Sequence, residues 1–171
     1  MPSRDTVSGS ATDELVSNNR RYAATFEHGG LPASPRKKVA VLACMDARLD
    51  IYSMLGLGAG EAHVIRNAGG VATDDAIRSL VISQELLGTR EIVIIHHTNC
   101  GMTGFHDDEL KERIYRATGI RPSFAFEAFS DAVEDVRQTI ARLVASPFLS
   151  HKDAIRGFVY DVGTGRLDEV R

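Results

Sequence analysis

Three short apolar runs constrain what this 171-residue chain can fold into more than anything else in it. Residues 39–44 (Val-Ala-Val-Leu-Ala-Cys), 62–65 and 92–95 are almost continuously aliphatic. Runs of this kind belong to strands buried on both faces, as in a parallel sheet covered by helices. Helical patterns alternate with them. A short helix over 49–55 is closed by Gly56. Thr73 is a good N-cap, with Asp74 and Asp75 in the first turn, for a helix that runs to Leu87 and stops at Gly88. A charged helix covers 107–118. An amphipathic one covers 131–145, with Val133, Val136, Ile140 and Leu143 on one stripe and Pro147 beyond its end. Two last strands, 157–162 and 166–170, flank the turn Gly163-Thr164-Gly165. The alternation predicts an α/β fold in a single domain, a mainly parallel central β-sheet flanked by helices.

The N-terminal part reads differently. Residues 1–12 are rich in Ser, Thr and Gly and read as a flexible N-terminus. Residues 13–28 read as a helix with Leu15, Tyr22 and Phe26 as its large apolar residues, ended by Gly29-Gly30. Pro32 and Pro35 keep the next stretch extended. Residues 13–35 are therefore an N-terminal helical arm and linker, and 36–171 the α/β domain. An arm of this kind packs on a neighbouring subunit or on its own domain.

Charge excludes some partners. The net charge is −3 and no basic stretch exceeds Arg36-Lys37-Lys38, so nothing favours nucleic acid; that run reads as a solvated approach to a strand. No apolar run approaches the roughly 20 residues of a membrane span, and residues 1–9 lack the apolar core of a signal peptide. The expected location is the cytoplasm, where two cysteines serve metal binding or catalysis more readily than a disulfide.

Both cysteines fall at the ends of the apolar runs, in Cys44-Met45-Asp46-Ala47-Arg48 and in His97-Thr98-Asn99-Cys100. Ligands of open α/β sheets bind beyond the carboxyl ends of the strands. If the chain stays extended after Cys44, then Cys44, Asp46 and Arg48 share one side of it. The same rule sends His96 and His97 to opposite faces, so one of them reaches a metal held with Cys100, and the spacing favours His97. Gly101 is expected to permit the tight turn that brings both ligands together. Cys44, His97 and Cys100 would give zinc three protein ligands and leave a fourth position free, the pattern of a catalytic site. Asp46 then either fills that position, as a fourth ligand in a closed state, or stands beside it. A bidentate pair with Arg48 would hold the carboxylate off the metal and leave it as a proton acceptor. Other motifs fail. Gly56-Leu57-Gly58-Ala59-Gly60 is not GxGxxG and precedes a strand, and Asp50 and His106 stand where a Cys-x5-Arg loop needs arginine. His28, His63, His106 and His151 have no expected role.

Cys44-Met45-Asp46-Ala47-Arg48, Arg66-Asn67-Ala68-Gly69-Gly70 and His96-His97-Thr98-Asn99-Cys100-Gly101 together resemble the β-class carbonic anhydrases, and most closely their short archaeal and bacterial branch. The resemblance implies Zn2+ on Cys44, His97 and Cys100, an Asp46–Arg48 dyad, and a homodimer or higher oligomer whose N-terminal helix embraces the partner. It implies reversible hydration of CO2 to bicarbonate and a proton by zinc-activated water. Gly69, Gly70 and Gly101, within these motifs, are candidate substrate contacts. Two departures stand out. Val41 replaces a tryptophan that some members use in an inhibitory bicarbonate site, and Met102 replaces a common second glycine. Relatives of this branch hydrolyse carbonyl sulfide or carbon disulfide with the same ligands, which is the alternative function. A non-catalytic zinc or redox-sensing protein is the reading from another class.

Overall fold

The computed structural model describes residues 10–171; the flexible segment expected over 1–12 lies outside it as far as residue 9. The chain divides into two compact units between Leu31 and Pro32, four residues before the boundary expected from the linker prolines.

The first unit contains helix α1 (Ala11–Ala24). It starts two residues earlier than the pattern suggests because Ser10 is its N-cap. The Ser10 hydroxyl accepts from the Asp13 N–H, and the Asp13 carboxylate accepts from the Ser10 N–H. It also ends earlier, at Thr25, whose backbone N–H already turns back to Tyr22. Gly29-Gly30 lie beyond the helix and do not terminate it. No residue of α1 is buried.

The second unit runs β1 (Val39–Cys44), α2 (Ile51–Leu55), β2 (Ala62–Asn67), α3 (Asp74–Glu85), β3 (Glu91–His97), a 3-10 turn (Gly101–Thr103), α4 (Asp107–Thr118), α5 (Ala132–Ala145), β4 (Ile155–Tyr160) and β5 (Leu167–Val170). The five strands lie in the order β2-β1-β3-β4-β5; the first four are parallel, and β5 returns antiparallel to β4. The α/β expectation holds. The differences are at element ends. Asp50 caps α2, so that helix starts at Ile51 instead of 49. Strands β2 and β3 run two residues further than their apolar cores, because the ladder pairs Cys44 with Asn67 and His97 with Tyr160. β4 begins and ends two residues earlier than expected. Val133, placed on the apolar stripe of α5, is exposed, whereas Val136 and Leu143 are fully buried.

Alternation along the strands divides the core between two faces. Ala40, Leu42, Ile92 and Ile94 pack with Ala76 and Leu80 of α3 and Leu143 of α5. Val41, Ala43 and Ile95 face the other way, toward Leu49, Ile51 and Met102. The chain leaves β1 toward β2 on one side and reaches β3 on the other, so the strand order reverses at β1. Crevices at such switch points are where open α/β sheets bind ligands. Arg36 and Lys37, from the basic run, both approach Glu61 at the opposite end of the sheet.

Candidate metal centre

Cys44 ends β1, and β3 delivers His97 and the turn to Cys100 at the same carboxyl end of the sheet. One ligand atom from each of Cys44, His97 and Cys100 lies within 4.8 Å of the others, and all three residues are buried. The two sulfurs are 3.9 Å apart. Asp46 is not part of this mutual set among the described residues.

The period of the strand selects the histidine. His96 follows Ile92 and Ile94 toward α5, where its Nε2 meets Asp135 Oδ2 at 2.7 Å and its ring lies against Phe129. His97 follows Val93 and Ile95 to the other face. Its Nδ1 donates to the Thr98 carbonyl at 2.9 Å, which leaves the Nε2 lone pair free. That Nε2 is buried with no hydrogen-bond partner. His96 Nδ1 is also an orphan, so an unpaired nitrogen does not by itself mark a site. What marks His97 is the presence of two sulfurs within coordination range.

The thiols titrate as a pair. Cys44 is pulled down to about 4, chiefly by the hydrogen bond from the Cys100 thiol, against burial, with help from His97 and the N–H groups of Asp46 and Gly69. Cys100 is pushed up, first by the Cys44 sulfur and then by burial. The pair therefore favours one thiolate and one thiol. A divalent cation would displace the second proton, because a coordinating thiol is deprotonated. Burial lowers His97, but the Cys44 sulfur, the Thr98 carbonyl and the Asp46 carboxylate together more than offset it. Two soft sulfurs and one imidazole, held at a mutual range that a tetrahedral ion spans, fit zinc.

Asp46 and Arg48 meet, but not on an extended chain as expected. The backbone turns after Cys44: the Arg48 N–H donates to Asp46 Oδ1 at 2.9 Å and the Leu49 N–H to the Asp46 carbonyl at 3.1 Å. An aspartate accepts such a bond from its own backbone two residues on readily, and this competes with extended structure. The guanidinium adds Nε to Oδ1 at 2.9 Å and Nη2 to Oδ2 at 2.7 Å. Arg48, by its side chain and then its N–H, holds the Asp46 carboxyl well below the usual carboxylate range. Asp46 Oδ2 nevertheless stands 3.7 Å from His97 Nε2, at the rim of the three-ligand set.

The glycines have packing roles. A Cβ on Gly70, whose φ is +76°, would stand 2.9 Å from the Cys44 nitrogen and 3.0 Å from the Ile95 carbonyl oxygen, so only glycine lets the β2–α3 loop pass this close to the strand ends. Gly69, at φ +83°, leaves room for Val71, Phe129 and Met102. Gly101 is not the residue that permits the turn: the left-handed position is Asn99, at φ 53°. Asparagine tolerates that conformation, and its carbonyl accepts from Arg48 Nη2 at 2.9 Å. Met102 is buried on the site side of the sheet. Asn99, Arg66, Phe129 and Asp135 were not singled out by spacing. Arg66 and Asn99 lie inside the motifs already quoted, whereas Asp135 is a helix-surface position in one dimension. A cavity of about 400 Å³ opens beside Asp135, lined also by Phe105, His106, Phe129 and Glu134 but by none of the three ligand residues.

Comparison with known proteins follows the same lines. The family model described as carbonic anhydrase matches residues 39–167. The chain is 58% identical over 159 residues to beta-carbonic anhydrase 1 of Mycobacterium tuberculosis, covering 93% of this chain and 97% of that one. It is 46% identical to the carbon disulfide hydrolase of Saccharolobus solfataricus, over 77% of this chain and 76% of that one. A crystal structure of carbonic anhydrase from Streptococcus mutans superposes with a TM-score of 0.90 at 43% identity, covering 95% of this chain and 99% of that one. By the family model, the sequence identity and the superposition alike, the chain belongs to the β-carbonic anhydrase family.

Proposed function

We propose that this protein catalyses reversible hydration of CO2 to bicarbonate and a proton, with zinc held by Cys44, His97 and Cys100. The observation that carries the reading is an ionised Asp46, clamped by Arg48, at the rim of a buried Cys-His-Cys set in a chain of this family. Zinc bound there would supply Lewis-acid activation of a water. The chain's own residues do the rest. Thr98 fixes the His97 ring so that Nε2 faces the sulfurs. Arg48 occupies both Asp46 oxygens, which holds the carboxylate back from ligation and keeps it ionised. Asp46 Oδ2 can then accept a hydrogen bond from a water at the rim and orient it, while the proton leaves to solvent or buffer. A bare structural site needs no such pair, which weighs against a non-catalytic or redox-sensing role.

Carbon disulfide or carbonyl sulfide hydrolysis is the second reading, supported by the similarity to the Saccharolobus solfataricus enzyme. Stopped-flow CO2 hydration on protein of measured zinc content, with carbonyl sulfide and carbon disulfide run in parallel, separates the two. Absence of CO2 turnover in zinc-replete protein would overturn the main reading.

We read the protein further as a homodimer or larger homo-oligomer acting in the cytoplasm. The arm supports the first point: α1 buries none of its residues and leaves Leu15, Val16 and Tyr22 exposed, and a 14-residue helix has little stability alone. The second is supported by two free cysteines suited to a reducing compartment. Among the described residues no helix is long and apolar enough to cross a membrane.

A further inference from the structure

We propose that Arg66 is a positioning residue for this centre: its guanidinium grips the Cys44–Met45–Asp46 segment by two backbone carbonyls and so fixes the Asp46 carboxylate relative to the Cys44 sulfur. The proposal rests on the zinc reading above.

The need for such a grip follows from the loop. The last register pair between β1 and β2 is Cys44 with Asn67, and the Asn67 carbonyl still accepts from the Met45 N–H at 2.8 Å. Beyond that the sheet offers nothing to hold the chain. The Asp46–Arg48 pair cannot supply the anchor, because both residues ride on the same turn and their bonds fix only each other. Besides the burial of Leu49, two arginines tie the turn to its surroundings by hydrogen bonds. On one side, Arg48 Nη2 reaches the Asn99 carbonyl, next to Cys100. On the other, Arg66 of β2 donates Nε to the Cys44 carbonyl at 3.0 Å and Nη2 to the Asp46 carbonyl at 2.6 Å. A planar fork with fixed donors bridges two carbonyls two residues apart, and an ammonium on a flexible stem does not. Arg66 forms no ion pair with a carboxylate among the described residues, so its strongest bonds are to these two carbonyls. The two arginines thus link β2, the turn and the Cys100 segment into one frame around the ligand atoms.

The test uses zinc-loaded enzyme with Arg66→Met, which keeps the stem and removes the donors, and Arg66→Lys, which keeps the charge and loses the fork. Arg78→Met, on an exposed arginine of α3 that pairs with Asp75, is the control. Three quantities are read: the rate of zinc transfer to a chelator, kcat and KM for CO2, and the thermal midpoint. Loss of a group that orients metal ligands typically changes metal affinity or activity by about 10–100-fold. Arg66→Met should release zinc faster and lower kcat within that range, with KM little changed; Arg66→Lys should fall between it and wild type, and the control should match wild type. Wild-type zinc release and kcat in Arg66→Met overturn the proposal even if its thermal midpoint drops. If Arg66→Met does not fold, Arg66→Lys decides: unchanged zinc release and kcat overturn the proposal, and a fall in both supports it. Wild-type protein that binds zinc and hydrates CO2 while both variants equal it defeats the Arg66 role alone. Wild-type protein that does neither defeats the zinc reading with it.

Discussion

His96 and His97 are adjacent on β3, both essentially without solvent exposure, yet the two faces of the sheet put them to opposite uses. A buried imidazole is costly unless its nitrogens are engaged. On the helical face, α5 presents Asp135 to His96, and Phe129 covers the ring. That side is a core contact beside the Asp135 cavity, with His96 Nδ1 left unpaired. On the other face His97 meets no carboxylate at bonding distance, only two sulfurs, with the nearest Asp46 oxygen already held by Arg48. The difference teaches that burial and an orphan nitrogen do not define a metal site here. The chemistry of what stands opposite does.

The sharpest way to break the comparison is to exchange the losses. Cys100→Ser or His97→Ala should strip most of the metal and abolish CO2 hydration, whereas His96→Ala should retain it; elemental analysis of the purified proteins reads both. Full zinc in Cys100→Ser would erase the distinction between the two faces. Next in size, Arg48→Ala frees Asp46 to close on the metal, so zinc should stay while kcat/KM falls by about 10–100-fold; a wild-type rate would dismiss the gating role.

A pH profile sharpens the site side. Two thiolates cancel the charge of Zn2+, whereas a three-histidine site keeps it and brings its water to a pKa of about 7. The water at a neutral site ionises at higher pH, so kcat/KM for CO2 should still be rising above about pH 7. Asp46 does not interfere with this limb. Its folded pKa lies below the ordinary carboxylate value, so it is ionised throughout, and any stability it contributes is lost only as pH falls through the acid range. A profile flat from below about pH 7 would contradict the charge count.

The smallest effect belongs to the core side. Asp135→Ala leaves His96 buried without its partner, which should cost about 1–3 kcal/mol in chemical denaturation with zinc content and kcat nearly unchanged. Metal loss in that variant would mean that the two faces are coupled.

Much of this arrangement was legible in one dimension. Period-two alternation separated His96 from His97, and the placement of both cysteines after apolar runs located the crevice. Thr73 marked a helix start correctly because a capping side chain bonds to backbone only three residues away. Misreadings occurred where a local rule met a competitor. Gly101 looked like the turn residue because glycine is permissive, yet Asn99 took the left-handed position. Asp46 and Arg48 would have shared one side of the chain had it stayed extended, yet the aspartate captured its own backbone. The end of α1 was misplaced because the helix stops four residues short of the first glycine that could have stopped it.

By itself, then, the amino-acid sequence determined the α/β alternation, the face each strand residue takes and the two thiols and imidazole that the crevice brings together, since all of these depend on side-chain chemistry and short-range period. The tertiary structure alone decided which groups stand opposite them. That His96 finds Asp135, 39 positions away, follows from the packing of α5 against β3 and β4. The grip of Arg66 on Cys44 and Asp46 follows from the pairing of β2 with β1, and the reach of Arg48 to Asn99 from the pairing of β1 with β3. Distances of this kind are set by strand register and helix docking, which no spacing along the chain encodes.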